Sequence, residues 1–156
     1  MTAPARYPGA APVGRLAELP PLERRVIRCM RLWCDEPQAP RRLEAELAPR
    51  WGTASAEAIA TDFGDLMLAF ARHARRPMLR HDVDCPCAGA DECVFARFVA
   101  LAAEGAREDA VLMAALMVRP DMVRCRSRRW PRRSASSSPA TWGRGSHGKV
   151  RGGGGR

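Results

Sequence analysis

Apolar residues recur at intervals of three and four along most of residues 20–118, a spacing typical of amphipathic helices. The first predicted helix extends from Pro21 to Cys34, because proline is tolerated in a first turn and Pro37 follows the end. Its predicted apolar face comprises Leu22, Val26, Cys29, Met30 and Trp33. A second helix is predicted from about Arg41 to Ala48, between two prolines, with Leu43 and Leu47 buried.

The third predicted helix has the clearest periodicity. It follows Ser55 as a candidate cap, and Arg75-Arg76-Pro77 ends it, with positive charge where the helix dipole favours it. The predicted buried residues are Ile59, Phe63, Leu66, Met67, Phe70 and Ala74. Gly64 costs roughly 1 kcal/mol relative to alanine inside a helix, so we expect a neighbouring helix to approach closely there.

Two further helices complete the prediction. The fourth begins at Asp91 and stops at Gly105, and its predicted buried residues are Val94, Phe95, Phe98 and Leu101. The fifth begins near Glu108 and is closed by Pro120, with Val111, Leu112, Ala115 and Leu116 on its predicted apolar side. No segment alternates convincingly with period two. The sequence therefore predicts an all-α fold: a single small bundle of four to five helices with a long loop over residues 77–90.

The chain divides into three parts by composition. Residues 1–19 are rich in Ala, Pro and Gly and are predicted to be disordered, residues 20–123 form the helical domain, and residues 124–156 form a disordered basic Arg/Ser/Gly tail. The net charge is +9, but residues 1–123 hold 16 of the 26 basic residues and all 17 acidic ones, a net of −1. The basic character therefore belongs to the tail.

The tail has two interpretations. It is a genuine basic arm, or the reading frame has shifted near Arg124. With GC-rich codons, Arg126 to Pro139 becomes Phe-Ala-Ala-Leu-Ala-Glu-Ala-Phe-Gly-Leu-Glu-Leu-Ala in another frame, which is a coherent apolar helix. The nucleotide sequence distinguishes the two.

Composition also indicates the compartment. A single Lys beside 25 Arg is typical of GC-rich coding. The first 21 residues do not have the pattern of a secretion signal, and the longest mostly apolar run, Ala110 to Val118, is too short to span a bilayer. We expect a cytoplasmic protein without membrane contact, whose six cysteines are free or metal-bound rather than paired in disulfides.

Four potential metal ligands lie within thirteen residues of the long loop: His81, Cys85, Cys87 and Cys93. Zinc sites are built from thiolates and imidazoles at short local spacings, and three Cys with one His would complete a closed structural site. Cys93 is predicted in the first turn of the fourth helix, where the helix dipole favours a thiolate. The sequence therefore predicts a structural zinc ion at these four residues, although Cys-x-Cys is less common in zinc sites than Cys-x-x-Cys.

Other interpretations of the cluster stay open. Cysteine often packs as a small apolar residue, and the cluster could also be a redox-sensing pair or an iron–sulfur centre. Reserve ligands are His73, Asp82, Asp84 and Asp91. A hydrolytic zinc would use Asp82 or Asp84 as a base beside an open coordination position. Cys29 and Cys34 are predicted to pack in the core of the first helix.

The residues of the helical domain resemble two groups of proteins. His81-x3-Cys85 with a nearby cysteine is similar to zinc-binding anti-sigma factors, but their pattern continues with Cys-x-x-Cys and has no intervening proline. From Leu19 to about Met122 the chain also resembles a group of small, uncharacterised helical proteins of GC-rich bacteria. The residues that carry this resemblance are Leu22-Glu-Arg-Arg, Arg31-Leu-Trp33, Arg75-Arg76-Pro77, the run from Cys85 to Cys93, Arg107-Glu-Asp-Ala and Val118-Arg-Pro-Asp121. This resemblance implies no activity.

No phosphate loop, dinucleotide fingerprint, nucleophile elbow or paired helical histidines occurs in the sequence. A loose helix-turn-helix pattern over Leu43 to Leu66 has acidic residues and no Arg, Lys, Asn or Gln where base contacts would be made. We therefore expect a small accessory or regulatory protein that acts by binding another protein, with a structural zinc. The alternative is a nucleic-acid-associated protein that binds non-specifically through its basic tail, with Trp130 and Trp142 stacking on bases.

Overall fold

The computed structural model describes residues 11–35 and 39–121 of the chain. Five helices lie in this part: α1 (Pro21–Cys34), α2 (Ala39–Trp51), α3 (Thr53–His73), α4 (Ala90–Glu104) and α5 (Arg107–Met117). Two short strands, β1 (Pro12–Arg15) and β2 (Cys87–Gly89), and a 3₁₀ turn over Leu16–Glu18 accompany them. The predicted all-α bundle is therefore confirmed. The predictions for residues 1–10 and for the tail, including a shifted frame, lie outside the described residues.

The second helix is longer than the sequence predicted, because Pro49 does not end it. Pro49 has no amide to donate to the preceding turn, and its ring crowds the carbonyl there, yet the helix continues for two more residues to Trp51. The guanidinium carbon of Arg25 lies 4.9 Å from the centre of the Trp51 ring, a cation–π contact that ties this last turn to α1. Gly52 then turns the chain with a φ of 77°, which favours glycine, and α3 begins at Thr53 rather than after Ser55.

The core lies between α1, α3 and α4, and aromatic rings fill its centre. Phe95 of α4 is fully buried and meets Phe70 and Phe63 edge to face, with ring centres 5.1 Å and 6.1 Å away. The close approach of a neighbouring helix predicted at Gly64 is confirmed, since a Cβ there would lie 3.3 Å from Nε1 of Trp33 on α1. These contacts fix α3 against both neighbours. The other buried residues of α1, α2 and α3 include Val26, Ile27, Met30, Leu43, Leu47 and Met67.

The predicted apolar side of α5 is wrong. Val111, Leu112 and Leu116 are 43%, 62% and 62% exposed, while Ala110 and Met117 are buried. The helix packs on α4, and in this packing its larger aliphatic residues face outward. Backbone hydrogen bonds then join the ends of α5 and α3: the amide of Arg75 donates to Met117 and the amide of Arg119 donates to His73.

A small antiparallel sheet replaces part of the predicted disorder. β1 pairs with β2 so that Pro12 lies opposite Gly89 and Arg15 opposite Cys87. The amide of Leu16 also donates to the carbonyl of Pro86 at 2.9 Å. Strands of three and four residues are too short to show a period-two pattern in the sequence. Their pairing gives hydrogen-bond partners to backbone groups of the loop before α4. None of the described helices is both long and apolar enough to cross a membrane.

We predict that Phe95→Ala lowers the free energy of unfolding by about 3–5 kcal/mol, because it empties the centre of the aromatic cluster. Urea denaturation followed by circular dichroism measures this loss. The control is Leu68→Ala, which truncates a side chain that is 44% exposed on α3 and should change the free energy of unfolding by no more than about 0.5 kcal/mol. Similar losses for the two variants would contradict the described core.

Candidate functional site

The connection between α3 and α4 is organised by a buried ion pair. Arg31 is on α1 and Glu92 is in the first turn of α4, and both side chains are fully buried. Nε of Arg31 donates to Oε1 of Glu92 and Nη2 donates to Oε2, each at 2.7 Å. This two-point geometry is the strongest form of an arginine–carboxylate contact. It joins two helices through residues that are 61 positions apart in sequence.

Arg31 also holds the backbone of the Cys-Pro-Cys segment. Nη1 donates to the carbonyl oxygen of Cys85 at 2.7 Å, and Nη2 donates to that of Cys87 at 2.6 Å. The guanidinium therefore makes four hydrogen bonds, which offset the cost of burying its charge. As a result, the carbonyls on both sides of Pro86 are fixed relative to α1.

The carboxylate of Glu92 accepts hydrogen bonds from two backbone amides of the same loop. Its Oε1 accepts from the amide of His81 at 3.0 Å, and its Oε2 accepts from the amide of Gly89 at 2.8 Å. Burial alone raises the pKa of Glu92, but the hydrogen bonds from Arg31 and from the two amides outweigh burial and lower that pKa. Glu92 is therefore a carboxylate at neutral pH, and it fixes both ends of the segment from His81 to Gly89.

Arg31 and Glu92 together clamp the loop, and this clamp brings two of the four predicted ligands close together. Nδ1 of His81 lies 3.7 Å from Sγ of Cys85. Hydrogen bonding to the thiol of Cys85 raises the pKa of Cys87. The imidazole also lies against Gly89, where a Cβ would come within 3.1 Å of the ring. The structure thus places His81 beside Cys85, and Cys87 follows on the same clamped segment.

The separation of His81 and Cys85 is close to that of two zinc ligands. With Zn–N near 2.0–2.1 Å, Zn–S near 2.3 Å and a tetrahedral angle, the two donor atoms would be about 3.6 Å apart. Across residues 11–35 and 39–121, however, no three His, Cys, Asp or Glu side chains are grouped as a ready metal site. Nε2 of His81 is buried without a hydrogen-bond partner in the same part of the chain, whereas zinc-bound histidines usually donate from their second nitrogen.

Cys93 differs from the other three predicted ligands. It lies in the first turn of α4, as predicted, but it is half-buried and packs against the core cluster. Burial raises the pKa of its thiol, and the negative charge of Glu92 raises it further. The helix dipole therefore does not produce the low-pKa thiolate that the sequence suggested.

The reserve ligands lie in other environments. Asp91 accepts hydrogen bonds from both terminal nitrogens of Arg76, at 2.6 Å and 2.7 Å, and from the amide of Leu79 at 3.0 Å. It thus anchors the start of the loop to the start of α4. Asp82 and Asp84 are exposed, and His73 lies at the end of α3.

The cysteines of α1 fit the predicted core role. Cys29 is fully buried, and this burial raises the pKa of its thiol to about 12. Cys34 is half-buried against the same cluster. Cys125 lies outside the described residues.

Sequence reasoning missed Arg31 and Glu92 as site residues. One signal was available: Arg31 occupies a position among apolar residues of α1, between Met30 and Leu32, where a charge needs a partner. Nothing local identifies that partner, because Glu92 resembles any acidic residue in a first helical turn.

Comparison with known proteins identifies no relative of this chain. No protein-family model matches the chain, and neither a curated protein nor a solved structure shows significant similarity to it.

We predict that Arg31→Met lowers the free energy of unfolding by about 3–5 kcal/mol, because Glu92 would remain buried without its cation. Urea denaturation measures the loss. The control is Arg28→Met on the same helix, which removes an exposed ion pair to Glu46 and should cost no more than about 1 kcal/mol.

The double variant Arg31→Met/Glu92→Leu should stay well below the wild-type stability. Two apolar residues remove the buried charges, but they also leave the carbonyls of Cys85 and Cys87 and two backbone amides without their partners. Recovery of wild-type stability in the double variant would show that the loop does not depend on the clamp.

Thiol labelling of the native protein should separate Cys29 from the loop cysteines. With a pKa of about 12, Cys29 has at pH 8 about a thousandth of the thiolate of an ordinary cysteine, and its sulfur is buried. Maleimide labelling followed by peptide mass mapping should therefore modify Cys85 and Cys87 first, and Cys29 only after denaturation. Early modification of Cys29 would contradict its place in the core.

Proposed function

We propose that this chain is a small accessory or regulatory protein that acts by binding another protein, and that its Cys–His loop holds a structural zinc ion. The observation that carries the proposal is the separation of 3.7 Å between Nδ1 of His81 and Sγ of Cys85, which suits two ligands of one zinc. Cys87 is the third ligand and Cys93 the predicted fourth. When bound, the zinc supplies a permanent cross-link within the loop and holds the thiols as thiolates.

The clamp of Arg31 and Glu92 supports this proposal. Metal sites bind tightly when the backbone that carries the ligands is already fixed, because less ordering entropy is lost on binding. Here the carbonyls of Cys85 and Cys87 and the amide of His81 all have buried partners. The backbone of His81 and of the Cys-Pro-Cys segment is therefore held in place before any metal binds.

A site with three thiolates and one imidazole has no open coordination position, so its role is structural. A bound zinc would stabilise the conformation of the loop at which β1 and β2 pair. The exposed strand β1 forms the outer edge of this small sheet. Loss of zinc would loosen this edge. A protein that binds partners through such a surface would then respond to metal supply, which is the sense in which we propose a regulatory role.

The test is native mass spectrometry of the full chain, refolded in reducing buffer with and without Zn²⁺. The full chain is needed because a protein that started after Arg15 would lose β1. We expect one zinc per chain and a higher melting temperature with zinc, since structural zinc sites contribute roughly 10–16 kcal/mol of apparent binding free energy. A chain that takes up no zinc and melts at the same temperature in both buffers would refute the proposal.

Variants then assign the ligands. Cys85→Ser and Cys87→Ser should each abolish stoichiometric zinc binding, and Cys93→Ser tests the fourth position. Cys29→Ala is the matched control, because it removes a thiol on the core side of α1 and should leave the zinc in place. Zinc that persists in both Cys85→Ser and Cys87→Ser would lie elsewhere, and the proposed site would be wrong.

A further inference from the structure

The outward side of α5 carries a stripe that is apolar in the middle and charged at its ends. The α5 stripe comprises Glu108, Val111, Leu112, Ala115, Leu116 and Arg119, the last of which lies just beyond the end of the helix. Leu112 and Leu116 are each 62% exposed and Val111 is 43% exposed. They are three of the five large apolar residues that are exposed in the described part of the chain. Adjacent exposed aliphatic side chains of this kind mark interaction surfaces.

The α5 stripe is complementary to itself when a second copy runs antiparallel. A two-fold axis between positions 113 and 114 places Leu112 opposite Ala115 of the other copy and Val111 opposite Leu116 of the other copy. A large side chain thus meets a small one on each side of the axis, as packed helix pairs require. The same axis brings the first turn of α5, which contains Glu108, near the residues that follow the end of the helix in the other copy, where Arg119 lies.

The charges at the two ends of α5 favour this orientation. At its start, Glu108 and Asp109 outnumber Arg107, and beyond its end Arg75 and Arg119 outnumber Asp121. Among the residues that the structure describes, neither Glu108 nor Arg119 makes an ion pair. Arg75 reinforces the basic end, since its Nε donates to the carbonyl of Val118. An antiparallel pair therefore joins opposite charges, whereas a parallel pair would join like charges.

We propose that two copies of this chain form a two-fold symmetric dimer through their α5 stripes. The interface is isologous, so each favourable contact occurs twice. A contact centred on an 11-residue helix is small, below the roughly 1,200 Å² of stable complexes, so the dimer forms reversibly with a dissociation constant in about the micromolar range. The chain's own tail is a poorer occupant, because residues 124–156 contain no Leu, Ile, Phe or Met to cover the aliphatic side chains and no acidic residue to pair with Arg119.

Sedimentation equilibrium of the full chain in reducing buffer, from about 1 μM to about 500 μM, tests the dimer. We expect a reversible monomer–dimer equilibrium. Leu112→Asp should raise the dissociation constant by at least about 100-fold, because it buries a carboxylate at the centre of the interface. The control is Leu68→Asp, the same substitution at an exposed leucine of α3, and it should leave the equilibrium unchanged.

A charge exchange tests the orientation. Glu108→Arg and Arg119→Glu should each raise the dissociation constant by about 10-fold, because each creates two like-charge contacts, and the double variant should restore the wild-type value. A wild-type chain that stays monomeric throughout would overturn the proposal. So would a dimer that Leu112→Asp leaves intact, since it must use another surface. These outcomes do not depend on zinc: a monomer with one bound zinc would refute the dimer and leave the proposed metal site standing.

Discussion

The buried ion pair between Arg31 and Glu92 is the interaction on which the rest of the structure depends. It joins the last turn of α1 to the start of α4 and holds four backbone groups of the loop between α3 and α4. The contact between the two charges contributes little net stability compared with apolar residues of the same size. Apolar residues could not, however, replace the four backbone hydrogen bonds that the pair makes. These hydrogen bonds, together with the pairing of β1 and β2, fix the path of the loop.

Periodicity alone predicted the helices well. The bounds of α1 agree with the prediction, and Phe63, Phe70 and Phe95 are buried as their spacing required. The predictions fail where a contact between residues that are distant in sequence determines the structure. Pro49 stays inside α2, whose last turn is held by a contact of Arg25 with Trp51, and β1 exists because its partner strand lies more than seventy residues away. Local sequence carries no record of either contact.

In the candidate site, too, local sequence predicted one part of the structure and long-range contacts determine the other. The spacing of His81, Cys85 and Cys87 is local, and His81 and Cys85 lie side by side. Cys93 is equally close in sequence, but it belongs to a helix, and the orientation of that helix is set by Arg31 and by the aromatic cluster around Phe95. Its half-buried position among core residues follows from those contacts. Spacing could identify the residues with metal-binding chemistry, but only the way α4 packs determines which of them meet.

The fifth helix shows most clearly what an apolar pattern leaves undetermined. Val111, Leu112 and Leu116 form a face that the sequence assigned to the core, yet the buried residues of α5 are Ala110 and Met117. Both faces are apolar, so periodicity cannot choose between them, and the tertiary contacts of α5 determine which face is buried. The face left outside keeps aliphatic side chains that water solvates poorly. Its opposite charges at the two ends make a second copy of the same face its most complementary partner.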